Sequence, residues 1–419
     1  MSQRARYDVV VAAPRAKLRF QAVATSYIGE RLGQVMTRIE LRLCCLASTL
    51  MLFGATAPAK NDPPAYPAVA APFDGTISIL TYNIKGLPWP AGVGRSRQLR
   101  RIGERLAALR QAGHAPAIVV LQESFTAEAQ SLGHEAGYRY VVNGPSAEDL
   151  NTKDISANDR TFAQSSHWWL GETHGKFVGS GLQILSDYPI AASRRVAFPS
   201  IACAGFDCLA NKGALFATIL IPGASSPIDV VTTHLNSRRA SWTADARNIY
   251  AYKRRVVVLS QFIERNRDPR RPLIVAGDFN VGSAHSRQTA LTTAAARHWG
   301  SSLPIRSAYD QYVRQGGCLN DDAAFLRRRA RDWQFYIAGS AGDLALTGVE
   351  VPFGGHRTGT MLSDHVGYVA RYRISPATAL GRAERAGSRP DTRKRKGLEG
   401  VSVRSATNAA RERPKPFVA

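Results

Sequence analysis

With 419 residues, 44% of them hydrophobic and 21% charged, the chain can bury a large core, which excludes an intrinsically disordered protein. Its net charge is +23, of which residues 1–59 hold +5, residues 374–419 hold +7 and the centre keeps +11. That balance favours anionic partners such as phospholipid, nucleic acid or phosphate esters, without choosing among them.

The first element in chain order is "MTRIELRLCCLASTLMLFGATAPAK", from Met36. Arg38 and Arg42 lead an apolar stretch, Leu43 to Phe53, and small residues follow near Ala57 and Ala59. This is the layout of a secretory signal peptide, with an apolar part too short to span a bilayer. The expectation is a start at Met36, a mis-called extension over 1–35, a signal over 36–59, and export to the periplasm or the exterior. The mature chain is expected to hold no transmembrane span. A Pro/Ala-rich linker, 60–73, precedes the ordered part. Cys44 and Cys45 fall in the signal, leaving Cys203, Cys208 and Cys318. Export permits a disulfide, and Cys203–Cys208 could close a short loop; no cysteine has zinc-site spacing with histidines.

From Ile77 strands and helices alternate. "ISILTYN" reads as a strand, and "SRQLRRIGERLAALRQAG" as an amphipathic helix with Leu99, Ile102, Leu106 and Leu109 on one face. "AIVVLQE", "GLQILS", "ALFATILI", "IDVVTTH" and "PLIVAGD" read as further strands, with a second long helix, "ADARNIYAYKRRVVVLSQFIERN", between the last two. "VGYVARYRI" closes the ordered part. Such a mixture predicts sheets covered by helices in layers, one domain over 74–374, and a disordered basic tail over 375–419 that includes "RKRK".

The strands end on polar residues. "LTYN" delivers Asn83, "VVLQE" Glu123, and "VVTTH" His234 with Asn236 two positions on. "IVAGD" delivers Asp278 and Asn280, and "SDH" places Asp364 and His365 just before the last strand. Alone, each has a structural explanation; Asp278-Phe279-Asn280, for example, suits an Asx-turn. Together, hard oxygens for a divalent cation, neutral hydrogen-bonders for phosphate oxygens and a histidine for the proton describe a phosphate-ester site.

The order Asn…Glu…His-x-Asn…Gly-Asp-x-Asn…Ser-Asp-His resembles the endonuclease/exonuclease/phosphatase superfamily over about residues 77–373. The resemblance implies a four-layer α/β-sandwich of two mixed β-sheets flanked by helices, and metal-dependent attack of water on phosphorus. It further implies that Glu123 is the principal ligand of Mg²⁺ (Mn²⁺ or another divalent cation being possible), with Asn83 beside it and Asp364 assisting. His365 moves a proton and is held by Asp332 of "RDWQF". His234, Asn236 and Asn280 meet phosphate oxygens, and Asp278 handles the attacking water or the leaving group.

Within the family, Lys85 stands where abasic-site nucleases usually carry an aspartate, which argues against a repair role. "ACAGFDCLANKGALFATIL" and "LTYNIKGLPWP" are similar to segments of bacterial sphingomyelinases, and the first brings Lys212 toward the substrate phosphate. The family's aromatic-tipped hairpin is not clear in this chain. The expected function is a sphingomyelinase or phospholipase C-like phosphodiesterase acting on a phospholipid headgroup. Peripheral membrane contact would come through Trp89, Trp168, Trp169 or the loop around Phe353. A secreted DNase-like endonuclease with nucleic acid as substrate is the alternative, followed by an inositol-phosphate phosphatase or a non-catalytic binding protein.

Overall fold

A computed structural model describes residues 73–152, 155–300, 304–318 and 320–376. The expected extension, the signal segment, nearly all of the linker and nearly all of the basic tail lie outside the described residues. The strands are β1 (Thr76–Gly86), β2 (Ile118–Ser124), β3 (Tyr140–Asn143), β4 (Gln183–Ser186), β5 (Ile190–Ala197) and β6 (Gly213–Ile219). They continue with β7 (Ile228–His234), β8 (Leu273–Asp278), β9 (Arg306–Ser307), β10 (Asp332–Ile337), β11 (Gly342–Phe353) and β12 (Gly367–Pro376). Two six-stranded sheets result, ordered β11-β12-β1-β2-β4-β3 and β5-β6-β7-β8-β10-β9.

Each sheet is mixed, with one parallel pair, β1/β2 and β7/β8, among antiparallel neighbours. A parallel pair needs a crossover. The two long helices read from the sequence supply them: α1 (Ser96–Gln111) joins β1 to β2, and α4 (Asp245–Asn266) joins β7 to β8. Between them in sequence lie α2 (Ala127–Glu135) and α3 (Ala157–Gln164); α5 (His285–His298), α6 (Ala308–Arg314) and α7 (Asp321–Arg329) follow.

Strand alternation sorts the side chains into layers. Ile77, Ile79, Val120 and Ile184 of one sheet meet Leu215, Val230, Ile274 and Tyr336 of the other in a central core. On the outer face of the first sheet, Leu80, Val119 and Leu121 pack under Leu99, Ile102 and Leu106 of α1. On the outer face of the second, Phe216, Val231, Val275 and Phe335 pack under Tyr252, Val256 and Leu259 of α4 and Leu291 of α5. The expected helix–sheet–sheet–helix sandwich is what forms.

Phe353 does not reach solvent. It is 4% exposed and stacks on Tyr82 with ring centroids 4.8 Å apart, because the end of β11 turns it onto the outer apolar layer. The loop around it is therefore not an aromatic anchor. Trp89, Trp168 and Trp169 do stand exposed, at 83%, 66% and 59%.

Cys203 and Cys208 are disulfide-bonded, and Cys318 is free and exposed. Opening this short loop with Cys203→Ser and Cys208→Ser should cost about 2 kcal/mol by loop-closure entropy. Urea unfolding would show it as a lower midpoint with an unchanged slope.

Candidate active site

The inward-facing positions of the central strands run apolar first and polar last. Ile79 leads to Asn83, Val120 to Gln122, Val230 to His234, and Ile274 to Asp278; in the antiparallel β10 the order reverses, from Tyr336 back to Asp332. The register sets His234 opposite Asp278 and Asp278 opposite Asp332. The polar ends thus meet at one edge of the sandwich.

Glu123 follows by a different route. Strict alternation in β2 would send it to the helix-covered face with Val119 and Leu121, but its φ of +58° is left-handed. Its carboxylate instead meets Asn83, whose Nδ2 donates to Glu123 Oε1 at 2.9 Å and to Asp278 Oδ2 at 3.1 Å. Lys85 and Asn280 are also left-handed, at φ +52° and +48°. Non-glycine residues in that region are strained and gather where function over-determines the backbone.

Asp278 closes an Asx-turn with one oxygen and faces the polar cluster with the other. Its Oδ1 accepts from the Asn280 amide N–H at 2.9 Å, an Asx-turn, while Oδ2 faces Asn83, His234 Nε2 at 3.4 Å and His365 Nε2 at 3.7 Å. Burial pushes its carboxyl up to about 6, against the opposing pull of His365. His365 Nδ1 sits 2.9 and 2.8 Å from the two oxygens of Asp332, which holds the ring. Burial disfavours the charged imidazolium, yet Asp332 and Asp278 outweigh it and raise His365 to about 9. Ser363 Oγ donates to the Asn83 carbonyl at 2.7 Å and fastens this loop to the end of β1.

His234 is different. Lys212 Nζ lies 3.0 Å from its Nε2 and, having no lone pair, must be the donor. Burial first and Lys212 second drive His234 well below the usual histidine value, so its approach to Asp278 and Glu123 is not an ion pair. Lys212 is buried and pairs with Asp207 at 2.6 Å, whose other oxygen takes Arg255 at 2.5 Å.

The other expected residues make their side-chain contacts outside the cluster. Asn236 is fully buried, its Nδ2 donating to Ser237 O at 2.7 Å and Asn248 Oδ1 at 2.9 Å. Asn280 Nδ2 donates to the Leu235 carbonyl at 3.2 Å. Asp364 turns its half-exposed carboxylate toward Lys85 Nζ at 3.7 Å.

Three buried groups escaped the sequence reading: Asp207, Arg255 and Arg287. Arg287 donates to the carbonyls of Asn236 and Asn280 at 2.6 and 2.8 Å, clamping the two loops that leave β7 and β8. Arg255 was visible in principle, since it shares the apolar stripe of α4 with Tyr252, Val256 and Leu259.

A divalent cation suits this donor set. Glu123, His234 and Asp278 bring one ligand atom each within 4.8 Å of one another. Two carboxylates converge on a single neutral amide, and among the described residues no lysine or arginine lies within ion-pair distance of Glu123. Glu123 is also the partly open member of the group. Hard oxygens with an uncompensated charge at an accessible position are what Mg²⁺ requires.

The model of the endonuclease/exonuclease/phosphatase family matches residues 80–365. Among solved structures, a mutant beta toxin of Staphylococcus aureus with bound magnesium ions is 15% identical, over 70% of this chain and 98% of that one, with TM-score 0.46. Sphingomyelinase C of Streptomyces griseocarneus is 18% identical, over 72% and 99%, with TM-score 0.46. TDP2 of D. rerio, complexed with a single-strand DNA product, is 17% identical, over 71% and 99%, with TM-score 0.45. No curated protein matches the chain in sequence. With a family match spanning most of the sandwich and a cluster of carboxylates, amides and imidazoles at the edge where its strands end, the chain belongs to the endonuclease/exonuclease/phosphatase family and is a metal-dependent hydrolase of phosphate esters.

Proposed function

We propose that the enzyme is an exported phosphodiesterase of the sphingomyelinase or phospholipase C type, using Mg²⁺ to cleave the phosphodiester of a phospholipid headgroup. The observation that carries the lipid reading is a set of exposed aromatics on loops around the site. Trp89 follows β1, Trp242 (78% exposed) follows the His234 strand, and Phe206 (43%) neighbours Asp207. Trp168, Trp169 and Phe177 (68%) extend the set. Large exposed aromatic patches mark interaction surfaces, and with a basic chain they suit the boundary of a bilayer. The disulfide and the signal-like segment support export.

Glu123, with Asn83 beside it, would hold the cation and Asp364 would assist, on the side of Lys85. The bound ion supplies charge neutralisation at the phosphoryl oxygens and a more acidic water. Asp278 orients the attacking water, and His365, kept charged by Asp332, gives a proton at Nε2 to the departing oxygen. Asn280 and His234 line the phosphate side with Lys212, which adds positive charge where negative charge grows, while the buried Asn236, committed to Ser237 and Asn248, fixes the loop behind them.

The test is release of phosphocholine from sphingomyelin or phosphatidylcholine liposomes, run beside plasmid degradation, with Mg²⁺ and with chelator. Headgroup release that stops on chelation is expected, and plasmid cleavage alone would defeat the lipid reading. The basic centre of the chain favours that nuclease alternative, which predicts steep weakening with salt. Glu123→Gln should raise the Mg²⁺ needed for half-maximal rate by at least ~10–100-fold, the range seen when even an outer partner of a metal ligand is lost. An unchanged Mg²⁺ titration would remove Glu123 from the metal site.

A further inference from the structure

We propose that Arg95 is a positioning residue that couples the cation site to the proton donor. The inference rests on the roles given above to Glu123, Asn83 and His365, and not on the lipid. Arg95 stands half-buried at the N-terminal cap of α1, and its guanidinium bonds three main-chain carbonyls. Nε donates to Lys85 O at 2.9 Å, and Nη2 donates to Ile84 O at 2.7 Å and to Leu362 O at 2.8 Å. Ile84 and Lys85 belong to the end of β1. Leu362 lies 267 positions from Arg95, in the loop that brings Asp364 and His365.

On the β1 side these contacts hold the left-handed Lys85, whose N–H donates to Asn83 Oδ1 at 3.1 Å. With that oxygen occupied, the Asn83 amide has one orientation, and its Nδ2 faces Glu123 and Asp278. On the loop side the residue after Leu362 is Ser363, which donates to the Asn83 carbonyl and accepts the His365 N–H at 3.3 Å. One guanidinium thus closes a ring of contacts through Lys85, Asn83, Ser363 and Leu362. A rigid fork of donors can hold several acceptors at fixed angles, which a lysine ammonium cannot.

The helix gives up a cap for this clasp. Ser, Thr, Asp or Asn at the cap position would satisfy a free N–H of the first turn, whereas Arg95 makes no side-chain cap. Its charge also meets the positive end of the helix, with no acid in the first turn to offset it. Burial disfavours that charge further, while Tyr82, Asp364 and Glu123 favour it. Residues that break a local rule gather at functional sites, and Arg95 breaks this one while bonding both halves of the site.

The experiment combines Arg95→Ala with Asn83→Ala and, separately, with His365→Ala. Metal binding is read with Mn²⁺ alone, standing in for Mg²⁺, from the loss of the free ion's paramagnetic resonance signal. Rates are read on sphingomyelin vesicles and on plasmid; cleavage of plasmid alone sinks the lipid reading, while the comparison among variants still decides the clasp. Arg95→Ala should weaken Mn²⁺ binding about 10–100-fold, the range for losing an outer partner of a metal ligand. It should also lower kcat about 10²-fold with little change in KM, as expected when reacting groups are misplaced by an ångström. Arg95→Lys should recover only part of either loss. Arg105→Ala, on the same helix and bonded to the Pro352 carbonyl, should leave both unchanged. Adding Arg95→Ala to Asn83→Ala should weaken Mn²⁺ no further, and adding it to His365→Ala should slow the rate no further. Additive losses in either pair overturn the coupling and leave an arginine that merely supports the fold, as does an unchanged Mn²⁺ affinity in Arg95→Ala.

Discussion

His365→Ala is expected to lower kcat by about 10²–10⁴, the usual worth of a positioned acid or base, with a smaller change in KM. The ring is buried, oriented at Nδ1 by both oxygens of Asp332, and directs Nε2 toward Asp278 at 3.7 Å. Asp332→Asn keeps the shape and removes the charge, so it should cost rate as well. The double variant should be little worse than His365→Ala alone, since the two residues act as one unit. The pH profile separates this role from a merely structural one. His365 is raised to about 9, so the proton it gives is present at neutral pH and the rate should fall as pH rises through about 9. Removing the Asp332 carboxylate lowers that value and should move the basic limb to lower pH. The same shift stabilises the fold fully below the unfolded histidine value of about 6.5 and is lost as pH climbs through the folded one. Wild-type activity in His365→Ala, or a basic limb that Asp332→Asn does not move, would refute the assignment.

The second large effect is on stability. Asp207→Ala should destabilise the protein by about 3–5 kcal/mol, because it leaves Lys212 and Arg255 buried without their counter-charge. For a domain of this size that corresponds to a fall of roughly 6–20 °C in melting temperature, measurable by calorimetry. Burial works to raise the Asp207 carboxyl, but Lys212 and Arg255 outweigh it and hold it below the usual carboxylate range. Its contribution is therefore present above the unfolded value of about 4 and is lost as pH falls through the lowered folded value. The gap between wild type and Asp207→Asn should stay level through neutral pH and close only in acid. Converting the whole cluster to apolar residues (Asp207→Leu, Lys212→Met and Arg255→Met) should recover much of the loss. A melting temperature unchanged in Asp207→Ala would show that the cluster is not under electrostatic strain when broken.

Central strands were legible in the sequence because burial on both faces leaves a continuous apolar run, as in β7 and β8, and both crossover helices showed their 3.6-residue stripe. Edge strands were not. β5, "IAASRRVA", is largely exposed, so neither burial nor alternation marks it, and β11 is longer than its apolar residues suggest. The polar strand ends could be read because parity does the geometric work: residues two apart on an extended chain share a face, and the register then aligns the ends. Glu123 reaches the cluster only through a left-handed backbone that no residue pattern announces, and the Asp207–Arg255 pair joins positions 48 apart whose partnership is tertiary alone. The exposed state of Trp168 and Trp169, against the buried state of Phe353, was likewise decided by packing.

The first sheet seats β1 between β2 and β12, with Thr76 opposite Arg373 and the Ile374 N–H donating to the Gly75 carbonyl at 2.8 Å. A ribosome or a secretion pore that releases the chain from its N-terminal end therefore exposes β1 with one edge vacant until almost three hundred further residues have emerged. Cooperative closure of this sheet has to wait for that last partner, a long-range pairing of the kind that slows folding. It also makes the neighbouring ends around Gly75 and Ile374 a natural place to join the chain into a ring or reopen it elsewhere.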